Sequence, residues 1–402
     1  MSEKPVRVLL LEQIHPEAED ILRSAGFSVE SEPRALDEDE LAARLADVAL
    51  LGLRSKTHVT RRVLEAAPNL VAIGAFCIGT NQIDLQAASE RGVTVFNAPF
   101  SNTRSVVELA IAEIIAMTRR LTEKNELMHA GVWDKSADGA HEVRGRTLGI
   151  VGYGNIGTQL SVLAENLGMK VLFYDSADRL ALSNARRCLS MGELLTEADV
   201  VTLHVDGRAS NNSLFGDSEF ALMRPGSLFL NLSRGFVVDY AALRRHIESG
   251  HIAGAAVDVF PVEPKGRGDE FVSELRGLAN VILTPHIGGS TEEAQQDIGR
   301  FVAGKFRDFV LDGATAMSVN LPGLALPQAP DTTRFILIHH NVPGVMATIN
   351  GVLAEHKVNV EAQLLGTRGD LGYVVTDVGA SLTDEMLEQL RGLPETVRLR
   401  VL

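Results

Sequence analysis

Three side chains in the second half of the sequence could together carry out proton transfer on a substrate that bears a carboxylate. Arg234 lies in the segment Asn-Leu-Ser-Arg-Gly, Glu263 in Phe-Pro-Val-Glu-Pro and His286 in Thr-Pro-His-Ile-Gly-Gly. An arginine binds a carboxylate through two parallel hydrogen bonds, and a histidine gives or accepts a proton near neutral pH. A neighbouring glutamate favours the protonated imidazole and raises its pKa. These residue types fit the movement of a hydride and a proton between a cofactor and a hydroxyl group.

The positions of these residues also favour a shared site. Each follows a short apolar segment that we predict to be a strand of a parallel sheet, and open α/β sheets bind ligands at the carboxyl ends of such strands. His204 ends a further predicted strand, Val200–His204, and is a rival proton donor, although we expect it nearer to the cofactor. The strands before Arg234, Glu263 and His286 are Leu228–Asn231, Ala255–Val259 and Val281–Thr284.

A glycine-rich turn after the predicted strand Thr147–Val151 is typical of a dinucleotide site. Gly152 permits a tight turn, and Gly154 lets the backbone approach a pyrophosphate. Gly157 lets the next helix, predicted over Gln159–Leu167, pack closely on the strand. The pyrophosphate would lie at the N-terminus of that helix, where unpaired N–H groups and the helix dipole favour an anion.

A carboxylate follows the next predicted strand, Val171–Tyr174, where it can bind the ribose hydroxyls of a dinucleotide. Asp175 would also repel the 2′-phosphate of NADP, so the sequence favours NAD as the cofactor. Arg179 is a nearby feature that would favour a 2′-phosphate instead.

The chain of 402 residues is long enough for two or three domains, and alternating strand and helix patterns over most of it predict an α/β protein with parallel sheets. A single helix is predicted from Asn102 to Ala130, with Ser101, Asn102 and Thr103 as candidate caps. After a proline-containing linker at 321–331, patterns in the order βαββαβ predict a separate ferredoxin-like domain.

The net charge of −14, without a basic cluster, argues against a nucleic-acid partner. No apolar segment approaches the roughly 20 residues of a membrane helix, so no membrane partner is expected. Cys77 and Cys188 exclude a disulfide framework and have no metal-ligand spacing. We therefore expect a cytoplasmic protein without a metal site.

The glycine turn and the segments around Arg234, Glu263 and His286 resemble those of the D-isomer-specific 2-hydroxyacid dehydrogenases, and the resemblance covers essentially the whole chain. It implies a Rossmann-type doubly wound nucleotide lobe, a flavodoxin-like substrate lobe and a C-terminal ferredoxin-like ACT domain. The implied boundaries place the substrate lobe at 1–101 and 290–320, the nucleotide lobe at 102–289, the linker at 321–331 and the ACT domain at 332–402.

The resemblance also implies which residues contact the reactants. The catalytic residues would be Arg234, Glu263 and His286. The residues expected to contact NAD are Gly152, Gly154, Asn155, Ile156, Gly157, Asp175, His204, Leu232, Ser233, Arg234, Asp258, His286, Ile287, Gly288 and Gly289.

Further segments resemble the branch of the family that oxidises 3-phosphoglycerate, which makes that compound the expected substrate. In that branch Gly79 and Asn102 lie at the substrate, and cations bind the phosphate; Arg54 and Lys56 are the candidates here. The branch usually has arginine at both positions, so Lys56 departs from the pattern, although lysine also binds phosphate. The segments are Phe76–Asn81, Phe96–Val106 and Gly131–Trp133.

The C-terminal domain resembles ACT domains that bind amino acids at an interface between domains. The resemblance implies that His339, Asn341 and Asn359 hold an effector, L-serine. We expect Asn359 near the other two, because the helix between them would return the chain to an adjacent strand. The resemblance also implies a homo-oligomer, a tetramer, with Trp133 as a candidate contact.

Two alternatives remain open from the sequence. The chain could reduce hydroxypyruvate or another 2-oxo acid, and use of 2-oxoglutarate beside the main substrate is not decided by the residues. It could instead be a non-catalytic, NAD-sensing interaction protein of the same fold. The cation pair Arg54 and Lys56 and the ACT-like domain argue against the first alternative. The ACT-like domain also argues against the second, and nothing in the sequence suggests a peptide groove.

Overall fold

The computed structural model describes residues 5–264, 268–379 and 381–402. The chain divides into two compact units, one built from Met1–Ser101 with Gln295–Leu402 and the other from Asn102–Ala294. Among the described residues, no helix combines the length and the apolar character that a membrane span requires.

The first unit contains a five-stranded parallel sheet in the order β2-β1-β3-β4-β5. Its strands are β1 (Arg7–Leu11), β2 (Ser28–Glu32), β3 (Leu50–Leu53), β4 (Ala72–Ala75) and β5 (Thr94–Asn97). The helices that connect them are α1 (Pro16–Ser24), α2 (Glu38–Arg44), α3 (Arg61–Glu65) and α4 (Leu85–Glu90). The strand order is that of flavodoxin-like folds, which bind ligands at the switch point between β1 and β3. The flavodoxin-like lobe is therefore confirmed.

The second unit contains a seven-stranded parallel sheet in the order β12-β11-β10-β9-β6-β7-β8, which confirms the doubly wound, Rossmann-type lobe. Its strands are β6 (Thr147–Val151), β7 (Lys170–Tyr174), β8 (Arg186–Arg187), β9 (Val200–Leu203), β10 (Ser227–Asn231), β11 (Ile252–Val257) and β12 (Val281–Leu283). Its helices are α5 (Thr103–Thr118), α6 (Leu121–His129), α7 (Asn155–Asn166), α8 (Met191–Glu197), α9 (Asp217–Leu222) and α10 (Tyr240–Glu248).

The single helix predicted over 102–130 is wrong, because the chain breaks between α5 and α6. Arg120 has a φ of 51°, in the left-handed region that a helix cannot continue through. The backbone N–H of His141 donates to the free carbonyl of Thr118, 2.8 Å away, and so closes the end of α5. At the other end, Asn102 is the N-cap residue, but its side chain makes no capping hydrogen bond.

Helix α11 (Glu292–Asp312) leads into the C-terminal part of the first unit. That part is an antiparallel sheet in the order β14-β15-β13-β16, which confirms the predicted ferredoxin-like βαββαβ domain. Its strands are β13 (Thr333–His340), β14 (Val360–Arg368), β15 (Leu371–Val378) and β16 (Thr396–Val401), and its helices are α12 (Val345–Glu355) and α13 (Asp384–Gly392).

The expected proximity of Asn359 to the first loop of this domain is wrong within one copy of the chain. Strand β14 pairs with β15 and not with β13, and both flanking strands run antiparallel to β15. His340, at the end of β13, is paired with Leu371, whereas Val360, at the start of β14, is paired with Val378 at the other end of β15. Asn359 therefore lies at the opposite end of the sheet from His339 and Asn341.

The C-terminal sheet packs onto the end of α11. The guanidinium of Arg400 lies 4.2 Å from the centre of the Phe309 ring, and it also donates to the Phe309 carbonyl. The hydroxyl of Tyr373 donates to the carbonyl of Gly313 over 2.8 Å. Arg334 and Asp377 form a fully buried ion pair at 2.6 Å.

Candidate active site

The glycine turn (Gly152–Gly157) joins β6 to α7. Gly152 has a φ of 94°, and a Cβ there would lie 2.5 Å from the carbonyl oxygen of His204. A Cβ on Gly157 would lie 2.4 Å from the Gly152 carbonyl oxygen, so the helix can approach the strand only with glycine at that position. A Cβ on Gly154 would meet no atom within 4 Å, which leaves open space in front of the turn.

Helix α7 begins at Asn155, four residues before the predicted start, and Gly154 is its N-cap. No side chain caps this end, so the first N–H groups of the helix, including that of Ile156, face the open space without a side-chain acceptor. Unpaired N–H groups at a helix N-terminus are what the pyrophosphate of a dinucleotide binds. The turn therefore fits NAD.

Asp175 holds the glycine turn from the end of β7. One carboxylate oxygen accepts the backbone N–H of Tyr153 and the other accepts that of Ala177, both at 2.8 Å. The Nε of Arg179 lies 3.7 Å from the same carboxylate. The carboxylate of Asp175 is thus placed where it can bind the ribose hydroxyls of a dinucleotide. It also partly neutralises the charge of Arg179.

A second carboxylate, that of Asp258, is buried and fixes the loop that follows β12. This histidine loop (His286–Gly289) has the N–H groups of Ile287 and Gly288 at 2.8 Å from the two carboxylate oxygens of Asp258. The hydroxyl of Thr284 donates to the same carboxylate over 2.6 Å. Hydrogen bonds to an ionised acceptor are about twice as strong as neutral ones, so the loop is held firmly.

The imidazole of His286 projects from this loop and pairs with Glu263. Nδ1 of His286 lies 2.8 Å from one carboxylate oxygen of Glu263 and 3.1 Å from the other. The hydrogen bond that His286 donates to the Glu263 carboxylate raises the pKa of His286 above its ordinary value, against the opposing effects of burial and of the charge of Arg234. Because Nδ1 is occupied, Nε2 is the atom left to exchange a proton with a substrate. The His286 side chain is 51% exposed, so a substrate can reach it.

Glu263 has a second hydrogen bond, which fixes its orientation. Its carboxylate accepts the backbone N–H of Phe260 at 3.1 Å. Burial alone would raise the pKa of Glu263, but the hydrogen bonds with His286 and Phe260 hold it below its ordinary value. The glutamate therefore stays ionised and stabilises the protonated imidazole.

Arg234 is positioned by polar groups that the sequence analysis did not single out. The Asn231 side chain donates to the carbonyl of Arg234 and also bonds to the hydroxyl of Tyr240, each at 3.0 Å. The Tyr240 hydroxyl in turn donates to the Val259 carbonyl over 2.6 Å. A Cβ on Gly235 would lie 2.0 Å from the backbone of the next strand's loop, so the backbone after the arginine needs glycine. The sequence signal for this arrangement was Asn231, an asparagine at the end of an otherwise apolar predicted strand.

The guanidinium of Arg234 is partly exposed and forms no ion pair with a carboxylate among the described residues. It is near enough to His286 for its charge to oppose protonation of the imidazole. Its Nη1 donates to the Ser233 carbonyl at 2.7 Å. The remaining N–H groups of the guanidinium can bind the carboxylate of a substrate beside the proton donor. Leu232 and Ser233, which precede it, are both buried.

His204 occupies a different environment from His286. Its Nε2 lies 3.0 Å from the hydroxyl of Thr202, and its Nδ1 is buried without a hydrogen-bond partner. Burial lowers the pKa of His204 to about 4. Its surroundings therefore favour the neutral imidazole, which makes His204 a weaker candidate for the proton donor than His286.

Asn102 packs against the histidine loop, since a Cβ on Gly289 would lie 2.1 Å from its Nδ2. Its Oδ1 is buried without a hydrogen-bond partner. A second unsatisfied group is the carboxyl of Glu113 in α5, which is 3% exposed. Burial, together with the charge of Asp258, raises the pKa of Glu113 to about 8, so it is largely protonated at neutral pH. No role for Glu113 was predicted from the sequence.

The predicted phosphate residues lie in the first unit, at the carboxyl ends of its strands. Arg54 and Lys56 follow β3, and Gly79 follows β4. Arg54 is partly exposed and Lys56 is exposed. Neither forms an ion pair with a carboxylate in the part of the chain that the structure describes, so both charges are available to a phosphate.

The predicted effector residues lie in the C-terminal domain. His339 is buried against Gly372, with Nδ1 near the His340 carbonyl at 2.9 Å and Nε2 unpaired. Asn341 and Asn359 are exposed. The Asn341 backbone N–H donates to the Asp370 carbonyl at 2.9 Å, and its side-chain Nδ2 donates to the Gly369 carbonyl at 3.4 Å.

Comparison with protein families identifies the class. The model of the NAD-binding domain of D-isomer specific 2-hydroxyacid dehydrogenases matches residues 111–288, and that of the AHAS small subunit-like ACT domain matches residues 335–398. A D-lactate dehydrogenase from Aquifex aeolicus, solved with NAD and lactic acid, is 26% identical, with a TM-score of 0.68 over 79% of this chain and 100% of that chain. The chain belongs to the D-isomer-specific 2-hydroxyacid dehydrogenases and is an NAD-binding oxidoreductase.

Full-length relatives narrow the class further. The chain is 48% identical to the D-3-phosphoglycerate dehydrogenase of Haemophilus influenzae, across 100% of this chain and 98% of the relative. It is 49% identical to the D-3-phosphoglycerate dehydrogenase of Dictyostelium discoideum, across 99% of this chain and 97% of the relative. These relatives therefore include the C-terminal domain as well as both lobes.

We predict that His286→Ala lowers kcat by about two to four orders of magnitude, the usual scale for a lost general acid or base. NADH affinity should stay within a few-fold, because the imidazole is held by Glu263 and not by the glycine turn. Steady-state rates and NADH fluorescence titration measure the two effects. His204→Ala is the matched control, and a larger loss of kcat in that variant would show that the wrong histidine was assigned.

We predict that Glu263→Gln shifts the pH–rate profile to lower pH. The carboxylate raises the pKa of His286, so its removal lets the imidazole lose its proton at lower pH. In the reducing direction, which needs the protonated imidazole, activity should decline at lower pH than in the wild type. In the oxidising direction, which needs the neutral imidazole, activity should appear at lower pH. Identical profiles for the two proteins would contradict the pairing.

We predict that Asp175→Ala weakens NADH binding and reduces discrimination against NADPH. The carboxylate would no longer repel a 2′-phosphate, and Arg179, now 3.7 Å from that carboxylate, would be free to bind it. The ratio of kcat/KM for NADH to that for NADPH measures the effect, with Asp178→Ala as a control on an exposed neighbouring carboxylate. Equal use of both cofactors by the wild type would show that Asp175 does not set the preference.

Proposed function

We propose that the protein oxidises D-3-phosphoglycerate to 3-phosphohydroxypyruvate with NAD, reversibly, as the first step of L-serine biosynthesis. The observation that carries this proposal is the full-length identity to D-3-phosphoglycerate dehydrogenases together with two unpaired cations, Arg54 and Lys56, at a strand end of the substrate lobe. A substrate with a carboxylate and a phosphate needs cations for both, and Arg234 provides one for the carboxylate.

The residues of the nucleotide lobe divide the work of the reaction. Bound NAD supplies the hydride acceptor. Arg234 binds and orients the substrate carboxylate, which places the neighbouring hydroxyl beside His286. Nε2 of His286 takes the hydroxyl proton during oxidation and returns it to the carbonyl oxygen during reduction. Glu263 stabilises the imidazolium that forms after oxidation, through the hydrogen bond at 2.8 Å.

A substrate panel tests this proposal. In the reducing direction, which the equilibrium favours, 3-phosphohydroxypyruvate is compared with hydroxypyruvate and 2-oxoglutarate at fixed NADH. The proposal predicts the highest kcat/KM for the phosphorylated compound. Preference for hydroxypyruvate or another unphosphorylated acid would identify a different dehydrogenase of the family. Absence of turnover with intact NADH binding would identify an NAD-sensing interaction protein.

The C-terminal domain supports a proposal for regulation and assembly. We propose that L-serine binds between the ACT domains of two subunits of a homotetramer. We also propose that the domain boundaries lie between residues 101 and 102, 289 and 290, 320 and 321, and 331 and 332. Asn359 lies at the opposite end of the sheet from His339 and Asn341, so a site that uses all three requires Asn359 from a second copy. Trp133, 72% exposed, is the proposed contact in the nucleotide lobe.

We predict that L-serine lowers the initial rate, and that Asn341→Ala and Asn359→Ala each relieve this inhibition. The kcat of each variant should stay within about twofold of the wild type, because neither residue lies in the nucleotide lobe. Co-expressed subunits that carry one substitution each should regain part of the inhibition, since pairing them rebuilds one intact site. No inhibition by millimolar serine or glycine would contradict the effector, and no recovery in the mixed oligomer would contradict the shared site.

A further inference from the structure

Glu12 is a buried carboxylate that the proposed reaction does not use. It lies directly after β1, and it is 8% exposed. One of its oxygens accepts the backbone N–H of Thr57 at 2.8 Å, and the other accepts that of Lys56 at 3.0 Å. Its side chain therefore bridges from the end of β1 to the loop that follows β3.

That loop, the cation loop (Arg54–Thr57), carries both proposed phosphate ligands. Strands β1 and β3 are neighbours, and the switch point of the sheet lies between them, where flavodoxin-like folds bind ligands. Gln82 holds the other side of the loop, since its Nε2 donates to the Arg54 carbonyl at 2.5 Å and is 3.3 Å from the Gly79 carbonyl. The loop is thus fixed from two sides through its backbone, while its cationic side chains stay free.

The backbone at Glu12 points to a function for this arrangement. Glu12 and Gln13 have φ values of 64° and 54°, in the left-handed region that residues other than glycine rarely adopt. Two successive residues in that region persist only where their surroundings demand it, and such strain is common at ligand sites. A carboxylate beside two cations would also weaken phosphate binding if it acted only through its charge.

We propose that Glu12 is a positioning residue for phosphate recognition: it holds the cation loop so that Arg54 and Lys56 converge on the substrate phosphate. This inference rests on the proposed substrate. Because Glu12 occupies the N–H groups of Lys56 and Thr57, these two groups are not available to the phosphate, which is recognised by the side chains of Arg54 and Lys56. A glutamine in its place has one acceptor oxygen for two N–H groups, so one of them loses its partner.

The test compares phosphorylated and unphosphorylated substrates in the full-length enzyme. The measured quantity is the ratio of kcat/KM for 3-phosphohydroxypyruvate to that for hydroxypyruvate. Glu12→Gln should lower this ratio about tenfold, through KM for the phosphorylated substrate, because a buried N–H group is left unpaired and the loop rearranges. The kcat with hydroxypyruvate and the affinity for NADH should change little. In the background of Lys56→Ala the effect of Glu12→Gln should be smaller, since both act on the same contact.

Asp37→Ala is the matched control. Asp37 is another carboxylate of the same lobe that accepts a backbone N–H, that of Glu40 at 2.9 Å, at the start of α2. Its side chain caps α2 and has no hydrogen bond to the cation loop in the part of the chain that the structure describes, so its loss destabilises the lobe while the ratio should stay within about twofold of the wild type. If Glu12→Gln does not yield soluble protein, Glu12→Asp, which keeps the charge but shortens the reach, should lower the ratio in the same direction.

The outcomes separate this inference from the proposed function. A wild type without preference for the phosphorylated substrate would overturn both. A wild type with that preference, and a Glu12→Gln variant that keeps the ratio or raises it, would overturn the role of Glu12 alone. The role of Glu12 would also be overturned if Glu12→Gln lowered kcat/KM equally for both substrates, or if Asp37→Ala lowered the ratio as much as Glu12→Gln does.

Discussion

Carboxylates at strand ends hold the loops on which the chemistry depends. Asp258 binds the histidine loop after the neighbouring strand, Asp175 binds the glycine turn, and Glu12 binds the cation loop. In each case the strand that carries the acid and the strand that precedes the loop are parallel neighbours. A charged acceptor strengthens these hydrogen bonds, and an unpaired buried N–H group would cost about 1–3 kcal/mol. The loops can therefore lack regular structure and still hold side chains in place.

Two histidines of the nucleotide lobe, His286 and His204, have pKa shifts in opposite directions, because their immediate surroundings differ. His286 faces an ionised carboxylate, which raises the pKa of its imidazole, whereas His204 has only a hydroxyl beside it and burial lowers its pKa to about 4. The surroundings of His286 therefore favour the protonated imidazole, and those of His204 favour the neutral one. The nearby charge of Arg234 opposes the protonation of His286 and limits how far Glu263 can raise its pKa.

Much of this could be predicted from the sequence, because strand patterns and glycine spacing are local signals. The patterns placed Arg234 and His286 after the correct strands, and the order βαββαβ was recognisable. The break in the helix at Arg120 could not be predicted, since it depends on a backbone hydrogen bond from His141, a residue more distant in the sequence. The position of Asn359 was wrong because the helix between β13 and β14 returns the chain to the start of β13, so the two strands are parallel and the start of β14 lies far from the end of β13. Glu12 also gave no signal, because its partners are more than forty residues away.

The most direct test is a crystal structure of the His286→Asn variant, in which turnover is blocked, with NAD and 3-phosphoglycerate bound. The account predicts the substrate carboxylate within about 3 Å of the Arg234 guanidinium, the C2 hydroxyl facing residue 286, and the phosphate on Arg54 and Lys56. A phosphate bound away from the cation loop, or a carboxylate bound away from Arg234, would contradict it.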